Sequence, residues 1–105
     1  TDNTRCIMKP TTPLGYVQKA IDITAQRNKA CPAYPIYGML LNQLDYVKAV
    51  FEGREQDKSK LHQLSIGAIA SKEFEENDPE LARALKDAYY VAIQSARGLK
   101  IQLPD

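Results

Sequence analysis

Apolar residues recur every three or four positions through most of this chain, which is the spacing of one buried face on an α-helix. The first series starts at Thr12–Pro13 and continues to about Ala30. Threonine followed by proline is typical of a helix start, because threonine can cap free backbone N–H groups and proline suits the first turn. Cys31–Pro32 ends the series, because a residue before proline avoids helical angles. The pattern therefore predicts a first helix over residues 13–30.

Two further series follow at helical spacing. The second begins after Tyr34–Pro35, ends near Phe51 and is followed by Gly53, a natural stop. Asp57 is the expected cap of the third helix. The expected inner face of that helix consists of Leu61, Leu64, Ala68 and Ile69. Gly67 would cost this helix about 1 kcal/mol relative to alanine, but its small size would let a neighbouring helix approach closely.

The clearest helix start is Asn77–Asp78–Pro79–Glu80, which combines a capping aspartate, a proline and an acid favourable to the helix dipole. Apolar positions continue on one face to Ala96, and Gly98 ends the helix. The tail over residues 99–103 alternates apolar and polar positions, and we expect an extended strap across the bundle because a lone strand would have nothing to pair with. These elements predict an all-α fold: a single-domain antiparallel bundle of about four helices over residues 12–105, after a disordered or extended segment over residues 1–11.

Composition excludes several partners. The chain has 105 residues, of which 44% are hydrophobic and 26% charged, as in an ordinary globular domain. Its net charge of +1 gives no bulk field that favours nucleic acid or an anionic membrane. No apolar run approaches the ~20 residues that span a bilayer, and the start lacks the apolar core of a signal peptide. We therefore expect a cytoplasmic protein that binds neither nucleic acid nor membranes.

Residues with catalytic or metal-binding chemistry are few. The single histidine, His62, lacks a recognisable nucleophile partner. Cys6 and Cys31 match no zinc or redox spacing, so two free thiols and one disulfide both stay open. The five glycines form no phosphate-binding loop, and the acids lack the spacing of a calcium loop. The sequence predicts no enzyme, no cofactor and no metal site.

Acidic residues are concentrated in one place. Residues 1–51 contain three acids and six bases, whereas the rest contains ten acids and eight bases. Five of those acids lie between Glu73 and Glu80, with no base among them. On the helix that follows, Tyr89 projects onto the apolar face and Tyr90 onto the charged face. A tyrosine among exposed charges is a good anchor for a protein partner.

This arrangement favours a protein-binding surface. The predicted partner-binding residues are Glu73, Glu75, Glu76, Asp78 and Asp87 for electrostatic complementarity, and Tyr90 for anchoring. Two plainer interpretations stay open. The acids can form a solvated helix end with capping groups, and Tyr90 can simply cover the edge of the bundle.

A family resemblance extends over most of the chain. The residues that carry it are Leu61–Phe74, Asp78–Leu81, Arg83–Val91, Arg97–Lys100 and Leu103–Pro104. In these segments the chain resembles the type VI secretion immunity proteins that neutralise the NAD(P)⁺-degrading effector first described in Pseudomonas. The resemblance covers roughly residues 12–104 and is strongest from Leu61 onward.

The resemblance implies a small helical protein that binds the toxin domain of a cognate effector and blocks its active site. The implied toxin hydrolyses NAD⁺ and NADP⁺, which places its inhibitor in the cytoplasm. An acidic turn can mimic the charge of a dinucleotide pyrophosphate and steer association with a positively charged toxin site. The residues alone leave open a helical adaptor, a regulator that forms homo-oligomers, or a small enzyme.

Overall fold

The computed structural model describes residues 10–104, and the predicted segment 1–11 therefore lies largely outside the described residues, as does Cys6. Within residues 10–104 the chain is helical and contains no strand. The elements are α1 (Pro13–Ala30), α2 (Pro35–Phe51), a 3₁₀ helix (Ser59–Gln63), α3 (Ile66–Ile69), a π-helix (Ala70–Phe74) and α4 (Pro79–Ala96). The all-α fold and the bounds predicted for the first and second helices are confirmed.

Local signals explain where the long helices begin and end. The Oγ1 atom of Thr12 accepts a hydrogen bond from the backbone N–H of Gly15 at 2.9 Å, which caps α1. Asp78 caps α4 in the same way. Gly53 and Gly98 end α2 and α4 with φ angles of 81° and 69°, a left-handed conformation that only glycine adopts without strain.

The core lies where α1 packs against both α2 and α4. Val17, Leu44 and Leu85 are fully buried representatives of these three helices. Burying a side chain of this size stabilises a fold by about 1.5–3 kcal/mol relative to leaving it exposed. The hydrophobic contacts between α1 and its two neighbours therefore fix how the ends of the helices lie relative to one another.

The prediction of one continuous third helix is wrong. The segment instead forms a 3₁₀ helix, a break at residues 64–65, the single turn of α3 and a π-helix. Gln43 of α2 explains the break: its side-chain oxygen accepts from the backbone N–H of Ser65, and its side-chain nitrogen donates to Ser65 Oγ, both at 2.8 Å. Because the break shifts the helical face, Ile66 takes the buried position and Ala68 is exposed.

The prediction that Asp57 caps this helix is wrong: Lys58 is the residue before the 3₁₀ helix, and no side chain caps it. Asp57 does accept a hydrogen bond from the backbone N–H of Ser59 at 2.9 Å, just outside the capping position. The expectation for Gly67 holds. Gly67 does allow close approach, because a Cβ atom there would lie 3.0 Å from the ring of Tyr89 on α4. The glycine thus lets α3 contact the flank of α4.

The tail after Gly98 folds back along the bundle as the predicted strap. Residues 99–104 contain no helix or strand. Ile101 packs against the core, and the Tyr16 hydroxyl of α1 donates to the backbone oxygen of Pro104 at 3.3 Å. Gln94 of α4 also bonds to the backbone of Gln102, so the strap contacts both α4 and α1.

Candidate protein-binding surface

The acidic turn is built on a π-helix and an aromatic cluster. Phe74, the last residue of the π-helix, is buried, and its ring stacks on that of Tyr37 with centroids 5.8 Å apart. Tyr34 meets Tyr37 edge-on at 5.1 Å. One-turn π-helices are frequent at functional sites. Here the aromatic packing holds the turn over residues 75–77 against the start of α2.

Glu73 is held loosely by that cluster. The hydroxyl of Tyr34 donates to the Glu73 carboxylate at 3.4 Å, a long hydrogen bond. The pKa of Tyr34 is raised, first by burial of its ring and then by the negative charge of Glu73. Glu73 is half-buried, and its charge still faces outward into the acidic depression described below.

Asp78 is engaged within the bundle. Arg27, in the last turn of α1, donates to both carboxylate oxygens of Asp78, at 2.7 and 3.2 Å, and to Glu80 at 2.8 Å. The hydrogen bonds from Arg27 hold the pKa of Asp78 below its ordinary value, although partial burial opposes this. Asp78 also accepts from the N–H of Leu81. Its carboxylate thus fixes the start of α4 to the end of α1.

Arg27 is a functional candidate that the sequence did not reveal. It lies 51 residues from Asp78 along the chain. The available signal was its position in the last turn of the first helix. Antiparallel packing of α1 against α4 brings that turn beside the acidic start of α4.

Glu75 and Glu76 lie exposed on the turn but differ in their contacts. Glu75 forms an ion pair with Lys86 of α4, with 2.6 Å between the carboxylate oxygen and the ammonium nitrogen. Glu76 has no ion pair or hydrogen bond within residues 10–104. Glu76 therefore carries the most available negative charge of the turn.

Asp87 and Tyr90 lie on the outer face of α4. Asp87 accepts from Arg83 Nε through both carboxylate oxygens, at 3.0 and 3.2 Å. Tyr90 is 43% exposed, so much of its ring is open to a partner. The predictions that Tyr89 faces the core and Tyr90 the polar side are confirmed.

Two surface depressions collect these side chains. One, of about 250 Å³, is acidic and is lined by Ser71, Lys72, Glu73, Glu75, Glu76 and Asn77. The other is a groove of about 580 Å³ between α4 and the strap, lined by Arg83, Lys86, Asp87, Tyr90, Gln102, Leu103 and Pro104. The Glu75–Lys86 ion pair joins the acidic depression to the strap groove. Five of the six predicted binding residues line one or the other, whereas Asp78 lines neither.

Outside the two depressions, the described part of the chain has few groups that could bind a metal or react. No group of three or more His, Cys, Asp or Glu side chains could hold a metal ion within residues 10–104. Among the same residues no helix is long and apolar enough to cross a membrane. Cys31 is an exposed free thiol, and His62 is exposed on the 3₁₀ helix. Fold and surface thus define a small all-α domain whose polar chemistry lies at its surface.

A family model of Tsi6 matches residues 12–94, and the chain belongs to the Tsi6 family. A curated relative, the immune protein Tsi6 of Pseudomonas aeruginosa PAO1, is 47% identical over 93 residues, which are 89% of this chain and 99% of that protein. The resemblance to immunity proteins drawn from the sequence is confirmed.

Solved structures agree with this assignment. A structure of Tse6 in complex with Tsi6 matches with a TM-score of 0.85 and 47% identity, over 90% of this chain and all of the matched chain. A structure of Tsi6 from Pseudomonas aeruginosa matches with a TM-score of 0.79 and the same identity, over 90% of this chain and 98% of that chain. The bundle described here is therefore the fold of the family.

Proposed function

We propose that this chain is an immunity protein that binds the toxin domain of a cognate type VI secretion effector and covers its active site. The observation that carries the proposal is the match to Tsi6 from a complex with Tse6, at 47% identity and over the full length of the matched chain. Inhibition by covering needs no turnover by the inhibitor, and we propose that the chain has none.

We further propose that the toxin degrades NAD(P)⁺ in the cytoplasm and that the immunity protein acts there. The support is the family resemblance of residues 61–104 together with the acidic depression. A site that holds a dinucleotide pyrophosphate carries positive charge, and exposed carboxylates speed the encounter with such a site. Glu76 supplies the most available charge and Glu73 adds to it, whereas Lys86 offsets the charge of Glu75.

The six predicted residues take different parts in this proposal. Glu73 and Glu76 steer the toxin, and Tyr90 anchors it, because an exposed aromatic ring is a frequent hot spot. Glu75 contributes its carboxylate to the same depression but shares its charge with Lys86. Asp78 acts indirectly, since its carboxylate binds Arg27 and fixes the helix that carries the surface. Asp87 holds Arg83 against α4 and presents only 17% of its side chain.

Effective protection requires tight binding. Nanomolar affinity corresponds to about −12 kcal/mol, and specific complexes of that strength commonly bury about 800 Å² on each partner. We propose that the interface includes both depressions, which the Glu75–Lys86 ion pair joins. The proposed interface therefore extends from the π-helix to the strap, beyond the acidic turn.

The test is a titration of the toxin domain of a cognate effector with this protein. We expect NAD(P)⁺ hydrolysis by that domain to fall to background at one equivalent of this protein. The protein alone is the matched control for turnover. Binding without inhibition would favour the adaptor, and turnover by the protein alone would contradict a purely covering role.

A further inference from the structure

The strap forms one wall of the strap groove, and a glutamine of α4 holds it there in addition to the contacts of Ile101 and Pro104. Gln94 of α4 donates through its side-chain nitrogen to the backbone oxygen of Gln102 at 3.0 Å. Its side-chain oxygen accepts from the backbone N–H of Gln102, also at 3.0 Å. A primary amide matches both backbone groups of one extended residue. Gln94 thus clamps the strap in one register against α4.

The clamp leaves an apolar side chain at the mouth of the groove. Leu103, the residue after the clamped Gln102, is 38% exposed and lines the groove opposite α4. Tyr90 lines the other wall and is 43% exposed. Exposed apolar side chains that face one another across a groove gain free energy when a partner covers them.

The charges around this groove are already neutralised within the chain. Arg83 pairs with Asp87 at 3.0 Å, and Lys86 pairs with Glu75 at 2.6 Å. A charged side chain entering the groove would have to compete with these pairs. The groove therefore fits an uncharged apolar side chain, whereas the adjoining acidic depression, with its exposed Glu76, fits a basic one.

Within the function proposed above, on which this inference rests, we propose that the strap is a second contact wall for the toxin domain. The toxin inserts an apolar side chain between Leu103 and Tyr90 and places a basic side chain in the acidic depression. The occupant is the same toxin domain in both places, because the Glu75–Lys86 pair makes the two depressions one continuous surface. Leu103 is a contact residue, and Gln94 is a positioning residue that acts through the strap.

The test compares two leucines of the same strap. Leu103→Ser should raise the Kd for the toxin domain about tenfold, mainly through faster dissociation. Leu99→Ser is the matched control, because Leu99 is even more exposed, at 56%, but does not line the groove. The control should change the Kd less than twofold. Equal effects of the two substitutions would overturn the inference.

A double-mutant cycle tests the positioning role. Gln94→Met keeps the length of the side chain but removes both bonds to Gln102 and the bond to the backbone oxygen of Tyr90. We expect it to weaken binding about fivefold. If Gln94 acts by placing Leu103, then adding Gln94→Met to Leu103→Ser should cause little further loss. If the losses in binding free energy of the two substitutions added fully, Gln94 would not act by positioning Leu103. Thermal unfolding of each variant verifies that it is folded.

The two proposals fail in different ways. If the unaltered protein does not bind the toxin domain, the proposed function is wrong. If it binds and inhibits but Leu103→Ser binds as tightly as Leu99→Ser, only the strap proposal is wrong. Surface plasmon resonance with the immobilised toxin domain distinguishes these results.

Discussion

The two ends of α4 are held by different physical means. At its amino end, Arg27 binds Asp78 and Glu80 by ion pairs, and the neighbouring turn presents carboxylates. At its carboxyl end, Gln94 holds the strap by two neutral hydrogen bonds, and Tyr90 and Leu103 present apolar surface. One helix thus joins a region held by ion pairs to a region in which the strap is held by neutral hydrogen bonds.

The difference assigns separate tasks in binding. Charge acts at a distance and raises the association rate, whereas apolar contacts act only after docking and lower the dissociation rate. The acidic depression is therefore expected to govern how fast the toxin arrives. The strap groove is expected to govern how long it stays.

The largest effect on the fold is expected from Arg27→Met. It leaves Asp78 and Glu80 without their cation while both lie at the start of α4. We expect a loss of about 1–2 kcal/mol in the free energy of unfolding, since hydrogen bonds to charged groups contribute about 1.5–3 kcal/mol and these groups are partly exposed. Urea denaturation measures this loss. Arg54→Met, which breaks an exposed pair with Glu52, is the control and should cost under about 0.5 kcal/mol.

A smaller effect with a defined pH dependence is expected from Asp78→Asn. The pKa of Asp78 lies below its ordinary value of 3.8 in the folded protein, because Arg27 binds the ionised form. The stabilisation by this charge is therefore fully present above the unfolded pKa and is lost as the pH falls through the folded pKa. We expect the variant to be less stable by about 0.5–1 kcal/mol at neutral pH. The difference in the free energy of unfolding between the unaltered protein and the variant should narrow below about pH 4. If this difference in the free energy of unfolding were constant with pH, the charge of Asp78 would not contribute to stability.

The smallest effect on the fold is expected from Glu76→Lys, which reverses an exposed charge of the acidic turn that has no ion pair or hydrogen bond within residues 10–104. Association with the toxin domain should slow about three- to tenfold at low ionic strength, with little change in dissociation. Salt at about 0.5 M should remove most of the difference from the unaltered protein. Asp45→Lys makes the same charge change on the exposed face of α2, outside both depressions, and serves as the control. Equal slowing by both would mean that only net charge matters.

Local chemistry made much of the fold predictable. Thr12–Pro13 and Asp78–Pro79 mark the starts of α1 and α4 because capping depends on residues within three positions. The break before α3 was missed because its cause, Gln43, is 22 residues away from Ser65 and on another helix. A helical periodicity carries no information about a side chain that captures the backbone from a distance.

The candidate surface was predictable only in part, for the same reason. Clustering along the chain indicated the acidic turn, and projection onto a helix separated Tyr90 from Tyr89. Sequence could not show that Arg27 engages Asp78 or that Gln94 places Leu103 beside Tyr90. Both facts depend on how α1, α4 and the strap pack.

Hydrogen–deuterium exchange of the protein with and without its toxin domain would locate the interface along the chain. We expect slower exchange on binding in both residues 71–77 and residues 99–103, and unchanged exchange in the loop over residues 52–58, on which neither depression borders. Slower exchange in that loop, with residues 71–77 and 99–103 unaffected, would contradict the proposed interface.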